Sequence, residues 1–351
     1  MVVKIAVVGA GAVGLSCAVR IKEVLGTKAN VTIIADKFGM DTTSHVAAGV
    51  LVIETPLQIS GYKGKRASVE KDIIVLSFNH YYESASLSHA EQAGIHKLEG
   101  YHIYYPGVKT GTVPFYTEYL RNWRPVTEEE LVSKFPALPK GCRGHFLEIV
   151  VTSPAHYLPW LTQRFVEMGG KVKKSLVTSF DELWPEYDIV FNCCGVRANS
   201  LTDDTSLLPV RGQVIRAHLP KAEKSFAYIT NGHESSPYFF WTPDGTVLGG
   251  IKQKNVQDTD ISLADRRVII NATAKYFPHL NFSEDKIMRE KAGLRPGRPA
   301  IRLEVENHQH HGEKRWVIHN YGHASEGIAL SWGTACVAVE MLTDILCSSK
   351  L

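Results

Sequence analysis

Residues 290–304, EKAGLRPGRPAIRLE, set Arg295, Arg298 and Arg302 among two prolines and two glycines. Proline and glycine interrupt a helix, and the interleaved apolar residues are unlike a basic nucleic-acid tail. A guanidinium group is a planar fork that meets a carboxylate through two parallel hydrogen bonds. Pro296 stiffens the backbone behind Arg295, so less order has to be created when an anion arrives. Capture of a carboxylate is the chemistry this stretch offers. Elsewhere there is little acid–base apparatus, since no Ser/His/Asp arrangement and no paired carboxylates stand out. His45 and His323 read as packed or backbone-bonded imidazoles rather than bases. Tyr238, in SPYFFW, reads from its own neighbours as a half-buried strand aromatic.

A second group of residues suits phosphate. VVKIAVVGAGAVGLSCAVRI runs from a β-branched stretch through Gly9-x-Gly11-x-x-Gly14 into a helical pattern. Strand before and helix after are the context this spacing needs. Gly9 permits the tight turn, Gly11 lets backbone approach a pyrophosphate, and Gly14 lets helix and strand pack closely. The helix N-terminus then faces the phosphates with partial positive charge. A second strand, NVTIIAD, ends at Asp36, an acid placed to accept hydrogen bonds from an adenosine ribose. The apolar N-terminus behind Lys4 imitates a secretory signal, but a signal has no need of that aspartate. The motif does not choose between NAD and FAD. The next stretch, DKFGMDTTSHVAAGV, favours FAD: Thr42, Thr43 and Ser44 can donate to phosphate or ribitol, and Ala47, Ala48 and Gly49 let backbone lie against a flat ring. It has no helical periodicity, whereas a nicotinamide enzyme usually continues with a second βαβ unit. Gly322 and Gly327, in HNYGHASEGIALSWG, precede another helix start, which can aim further N–H groups at the same ligand.

The elements that position these residues can be read around them. EIVVTSPAHYLPWLTQRFVEMGGKVKKSLVTSF reads as strand, a helix capped by Ser153 with Pro154 at its first position, a Gly-Gly stop, and strand. YDIVFNCCG is a buried-type strand, and DISLADRRVIINATAKYF a helix capped near Asp260 or Ser262. LPVRGQVIRAHL, SPYFFW and GTVLGGIKQK are strand-rich and point to an antiparallel sheet in a second domain. At 351 residues, with 44% apolar content and a net charge of +3, the chain has the size for one large or two moderate domains. That charge suits neither nucleic acid nor an anionic membrane, and no apolar run approaches membrane-spanning length. Cys193 and Cys194 read as buried thiols, and His308, His310 and His311 as a solvated hairpin tip rather than a metal site. The chain ends Ser349-Lys350-Leu351, the address read by the peroxisomal import receptor, so the peroxisome matrix is the expected location.

In this order, VVGAGAVGLS, ADKFGMDTTSHVAAG, NCCG, PVRGQV, LGGIKQK, EKAGLRPGRPAIRLE and HNYGHASEGIALSWG resemble the D-amino-acid oxidase and D-aspartate oxidase family of flavoproteins, over nearly the whole chain. The resemblance implies an α/β fold with a Rossmann-like FAD-binding domain over residues 1–52, 145–200 and 296–351. Interleaved with it is a substrate domain on an antiparallel sheet, over 53–144 and 201–295. It implies non-covalent FAD, a D-amino acid and O2 as small-molecule partners, and hydride transfer from Cα to the flavin N5. The products would be a 2-oxo acid, ammonia and hydrogen peroxide. By the same resemblance Arg295 binds the substrate α-carboxylate and the Tyr238 hydroxyl helps hold it, while Arg298 and Arg302 are left to pair with acids or carbonyls.

The cofactor contacts implied are Gly9, Gly11, Val13, Gly14, Asp36, Lys37, Thr42, Thr43, Ser44, Ala48, Gly49, Val177 and Cys194, with the loop Ala324, Ser325, Glu326, Gly327, Ile328 and Ala329. That loop is usually richer in glycine, and Glu326 would oppose reduction of the ring unless it points to solvent. An acidic substrate is expected, D-aspartate first, with neutral D-amino acids as the alternative. TNGHESSP lacks the tyrosine that the neutral branch carries ahead of SPY, and Lys252 and Ser325 stand where the acidic branch has arginine and serine. Lys252 and His233 would face the second carboxylate, which is costly to bury unpaired. Against this, Lys252 also reads as a solvated strand-end lysine, and Glu234 would repel a dicarboxylate. The sequence does not give the oligomeric state, and a homo-oligomer stays open.

Overall fold

The computed structural model describes residues 2–53, 56–108, 117–232 and 235–348. His233, Glu234 and the terminal Ser349-Lys350-Leu351, singled out above, lie outside the described residues. The described residues build two sheets. In the first, Val3–Val8 lies between Ala29–Ala35 and Ile189–Asn192, parallel to both. Lys171–Lys174 continues the parallel order on one side and Glu313–Tyr321 on the other. Ile301–His310 then runs antiparallel to Glu313–Tyr321, and the short Ile59–Ser60 closes that edge.

Strand side chains alternate, so Ile5 and Val7 enter the main core while Ala6 and Val8 enter a smaller cluster with Phe180, Leu183 and Trp184. Burial on both faces explains why the central Val3–Val8 and Ile189–Asn192 read as nearly continuous apolar runs. The helices Ala12–Leu25 and Val69–Ser84 both pack on Gly327–Ser348, and Ala12–Leu25 also packs on Pro154–Glu167. Gly327–Ser348 is long and apolar enough to cross a membrane, contrary to the reading that no run approaches that length. Its apolar surface is spent inside the fold: at Gly333 a Cβ would lie 2.1 Å from the Ile73 carbonyl oxygen, a helix–helix approach that only glycine allows.

Among the described residues the second sheet has nine strands. Leu208–Ala217 pairs with Thr246–Gly249, Gln253–Lys254 and the long Ile287–Gly297, all antiparallel. Tyr238–Phe240 lies between Thr246–Gly249 and Ser225–Thr230. Ile95–Tyr104, Arg143–Thr152 and Trp123–Val126 complete it. The helix Leu263–Tyr276 starts at Ser262, whose hydroxyl accepts from Asp265 N–H, a side-chain cap as expected.

Several expectations need correction. Arg143–Thr152 belongs to the second sheet although 145–200 was assigned to the cofactor domain, because its ten residues pair along the whole of Ile95–Tyr104. Ile59–Ser60 and Val69–Ser84, assigned to the substrate domain, pair and pack with the first layer. The second sheet is not wholly antiparallel, since Ser225–Thr230 runs parallel to Ile95–Tyr104. The 42–49 loop contains one helical turn, Thr43–Val46, too short to show periodicity. Ser153 stands at the N-cap position but makes no cap; its hydroxyl donates to Asp244 Oδ1 at 2.6 Å, tying the helix to the turn at 242–245.

Candidate cofactor and substrate site

One cavity of about 590 Å3 opens where the parallel strands end, at Val8, Ala35, Cys193 and Tyr321. Ligands bind at such carboxyl ends in open parallel sheets. Its tightest wall is the glycine turn. Gly9 has φ of 111°, and a Cβ there would lie 2.4 Å from the Cys193 carbonyl oxygen. Gly14 does not line the cavity; it supports the turn from behind, where a Cβ would stand 2.0 Å from the Gly9 carbonyl oxygen. Gly11 differs, since its Cβ would meet only Ser44 Oγ, at 3.0 Å. Bare backbone at Gly11 is therefore space left for a ligand rather than for the protein. The other cofactor candidates, Val13, Asp36, Lys37, Thr42, Thr43, Ser44, Ala48, Gly49, Val177 and Cys194, all line the cavity, as does the stretch Ala324, Ser325, Glu326, Gly327, Ile328 and Ala329.

Local hydrogen bonds fix these walls. Ala12 N–H donates to Ser44 Oγ at 3.0 Å, so the 42–49 loop is tied to the first helix start. The Thr42 hydroxyl donates to the Gly39 carbonyl at 2.7 Å, so it holds its own turn instead of offering that proton to phosphate, as had been expected. Gly49, at φ of 75°, brings the loop against Thr152, whose carbonyl oxygen would be 1.9 Å from a Cβ. On the other wall, Tyr81 donates to the Ile328 carbonyl at 2.6 Å and holds the start of the last helix. The extended shape, a glycine turn at a helix start and a second helix start at Gly327 fit an adenine dinucleotide bearing a second ring system.

Arg295 and Tyr238 line the same cavity, brought there by two strands of the second sheet. Each rests on glycine. At Gly212 a Cβ would be 2.1 Å from Arg295 Nη1, and at Gly249 it would be 2.3 Å from Tyr238 Cζ. Gly250 meets the edge of the same tyrosine ring at 2.4 Å. A glycine inside a strand marks close approach by another group, and that is the signal PVRGQV and LGGIKQK carry for the cradle. Arg295 Nη1 donates to the Ile251 carbonyl at 3.1 Å. Lys252, the next residue, also lines the cavity. Arg298 pairs with Asp204 at 2.9 Å, and Arg302 with Glu304 and Glu306, as expected of the two arginines not assigned to the substrate.

The histidines behave as packed groups. Burial pushes the His323 imidazole down to about 3, and its Nε2 lies 3.1 Å from Thr334 Oγ1. Burial, then Lys291 and Arg216 nearby, takes His45 to about 4. Both are neutral at physiological pH. Glu326 does not resolve its conflict by pointing to solvent: it is 9% exposed, and it directly precedes the helix Gly327–Ser348, whose positive end offsets a carboxylate. Arg197, Tyr228 and Ser236 also line the cavity and were not foreseen. Arg197 Nη1 reaches Asp36 Oδ2 at 2.5 Å, a contact between distant stretches that no local pattern announces. Of the expected solvated tip only His311 stands at the turn, with Gly312, at φ of 50° and 83°; His308 lies in the strand Ile301–His310, its ring packed on Phe180 and Trp184, because the strand runs on to His310.

A family model described as FAD-dependent oxidoreductase matches residues 4–341. The chain is 36% identical to human D-aspartate oxidase, across 97% of this chain and 95% of that protein. It is 32% identical to a D-amino acid oxidase of Dugesia ryukyuensis, across 99% of each. Among solved structures, L-α-glycerophosphate oxidase of Mycoplasma pneumoniae with FAD bound superposes with a TM-score of 0.73 at 16% identity, over 98% of this chain and 95% of that one. Glycine oxidase of Geobacillus kaustophilus gives 0.72 at 14% identity, over 97% and 94%. These structures share the two-sheet α/β fold. FAD is the cofactor that the glycine turn and the extended cavity accommodate, and the chain belongs to the family of FAD-dependent oxidoreductases.

Proposed function

We propose that this protein is an oxidase of D-amino acids that prefers acidic ones, D-aspartate first, and releases a 2-oxo acid, ammonia and hydrogen peroxide at the expense of O2 and water. The observation that carries the acidic preference is the tie between Arg295 and the Ile251 carbonyl, at 3.1 Å. It seats one cation on the residue adjoining Lys252, and both cations line one cavity. A dicarboxylate needs two such positions, because a buried carboxylate without a partner is costly. Arg295 takes the α-carboxylate with its fork, and the Tyr238 hydroxyl donates to the same group. Lys252 meets the side-chain carboxylate as a point charge, less geometrically selective than arginine. Ser325, which also lines the cavity, offers a hydroxyl. When bound, FAD supplies the two-electron acceptor chemistry that the side chains lack. The chain's own work is to orient the α-hydrogen and to exclude water, which fits the neutral, packed state of His45 and His323. The 36% identity to human D-aspartate oxidase supports this reading. The similar match to a Dugesia D-amino acid oxidase keeps neutral D-amino acids as the second one.

Peroxide release from D-aspartate, D-glutamate and D-alanine by wild type and by Lys252→Met tests the proposal. D-aspartate is expected to be the best substrate, and Lys252→Met to lower its kcat/KM about tenfold or more while sparing D-alanine, in line with one charge-assisted contact. A wild-type preference for D-alanine would move the protein to the neutral branch. An unchanged D-aspartate preference in Lys252→Met would leave the class and remove the lysine from it.

We also propose the peroxisome matrix as its location, with Ser349-Lys350-Leu351 as the receptor-read address. A peroxide-producing oxidase suits an organelle that holds catalase. Deletion of those residues is expected to shift the protein from the peroxisomal to the soluble fraction; co-sedimentation with peroxisomes after deletion would refute the signal.

A further inference from the structure

Asp36 and Arg197 form an ion pair, Nη1 to Oδ2, at 2.5 Å. Their positions in the sheet give this pair a meaning that a surface ion pair lacks. Asp36 follows Ala29–Ala35 and Arg197 sits in the turn Gly195–Ala198 after Ile189–Asn192. Those two strands flank Val3–Val8 on either side. The pair therefore spans the carboxyl end of the central strand, over the point where Gly9 turns the chain. Both side chains line the cavity, and they are 34% and 42% exposed, so each can still reach a ligand. The turn carrying Arg197 is fixed: its N–H donates to the Cys194 carbonyl at 3.2 Å, and its carbonyl accepts from Ser200 Oγ at 2.8 Å.

Charge makes the arrangement purposeful. FAD carries two negative charges on its pyrophosphate, and a lone carboxylate beside the phosphate turn would repel it. Arg197 cancels that charge through Oδ2 and leaves Oδ1 to accept from a ribose hydroxyl. A guanidinium plane also stacks on a flat aromatic base. Resting on FAD as the cofactor, we propose that Arg197 is a further FAD-binding residue of this chain, a cationic latch that pairs with Asp36 and closes on the adenosine half. It raises affinity for the dinucleotide and contributes nothing to a flavin mononucleotide.

The test is titration of apoprotein with FAD and, separately, with FMN, followed by flavin fluorescence at low and high salt. Arg197→Ala is expected to raise the Kd for FAD about fivefold at low salt, the upper end for a part-exposed charge pair. The FMN affinity should be unchanged, and the FAD effect should shrink at high salt. Arg197→Ala combined with Asp36→Asn should lose less than the sum of the two single effects, because the residues act together. Thermal unfolding of the apoprotein should be unaltered by Arg197→Ala, which separates binding from folding. An unchanged FAD affinity would reduce the pair to a surface ion pair. Tighter FAD binding would mean that Arg197 competes for Asp36, and equal weakening of FAD and FMN would mean a diffuse charge effect; either overturns the latch.

Discussion

Arg295→Ala is expected to lower kcat/KM for the best D-amino acid more than about a hundredfold while FAD stays bound. A hydrogen bond to a charged group is worth about 1.5–3 kcal/mol, and a bidentate pair more. At 1.36 kcal/mol per tenfold, that range exceeds two decades once both arms of the fork are lost. The structure sharpens the expectation. Gly212 is bare so that the guanidinium can lie against the strand, and the Ile251 carbonyl fixes its rotation through Nη1. The group is held before substrate arrives, so its removal forfeits preorganised binding rather than a contact that must first be arranged. Arg295→Lys should recover little, since a lysine has no fork and cannot reproduce both hydrogen bonds. Tyr238→Phe should cost less, because only a hydroxyl is lost and the ring still fills the cradle at Gly249 and Gly250. Peroxide release and flavin absorbance, measured together, check all three. Near-normal turnover of Arg295→Ala at low substrate would remove the carboxylate from this residue.

The cofactor half of the site was legible in the sequence because it is local. Gly9-x-Gly11-x-x-Gly14 and Asp36 lie within one strand–helix–strand unit, so spacing along the chain maps directly onto spacing in the fold. The strand at 189–192 was legible too, since burial on both faces leaves a short apolar run. What escaped depends on distant pairing. Nothing near Arg197 announces Asp36, and nothing near Gly212 announces the guanidinium that lies on it; both follow from registers set elsewhere, such as Arg295 opposite Val210. Arg143–Thr152 was misplaced for the same reason, because an apolar strand carries no mark of which sheet it joins. Residue chemistry alone offered the arginine stretch as a carboxylate site, but the choice of Arg295 within it and the role of Tyr238 entered only through a family resemblance, and the glycines that seat both are the physical trace that could have found them.

The glycine turn yields a prediction in which two similar substitutions part ways. Gly14→Ala places a methyl group 2.0 Å from the Gly9 carbonyl oxygen and 3.3 Å from Cys193 Cβ. Backbone cannot yield that space cheaply, and overpacking of this kind costs about 1–3 kcal/mol or more. Gly14→Ala is therefore expected to lower the apoprotein melting temperature by several degrees and, with it, FAD retention. Gly11→Ala meets a different situation. Its φ of −79° is open to any residue, and its methyl group would touch only the Ser44 hydroxyl, a side-chain atom that can move. The apoprotein should melt much closer to wild type than Gly14→Ala does, because only the Ser44 hydroxyl, which accepts from Ala12 N–H, has to give way, by a few tenths of an ångström, and no backbone atom does. FAD affinity should nevertheless fall more than about tenfold, since the methyl group stands where backbone and pyrophosphate must approach. The contrast separates a glycine kept for packing from one kept for the ligand. Equal FAD affinity in Gly11→Ala would place the pyrophosphate elsewhere in the cavity, and an unaltered melting point in Gly14→Ala would show that strand and helix can part without loss.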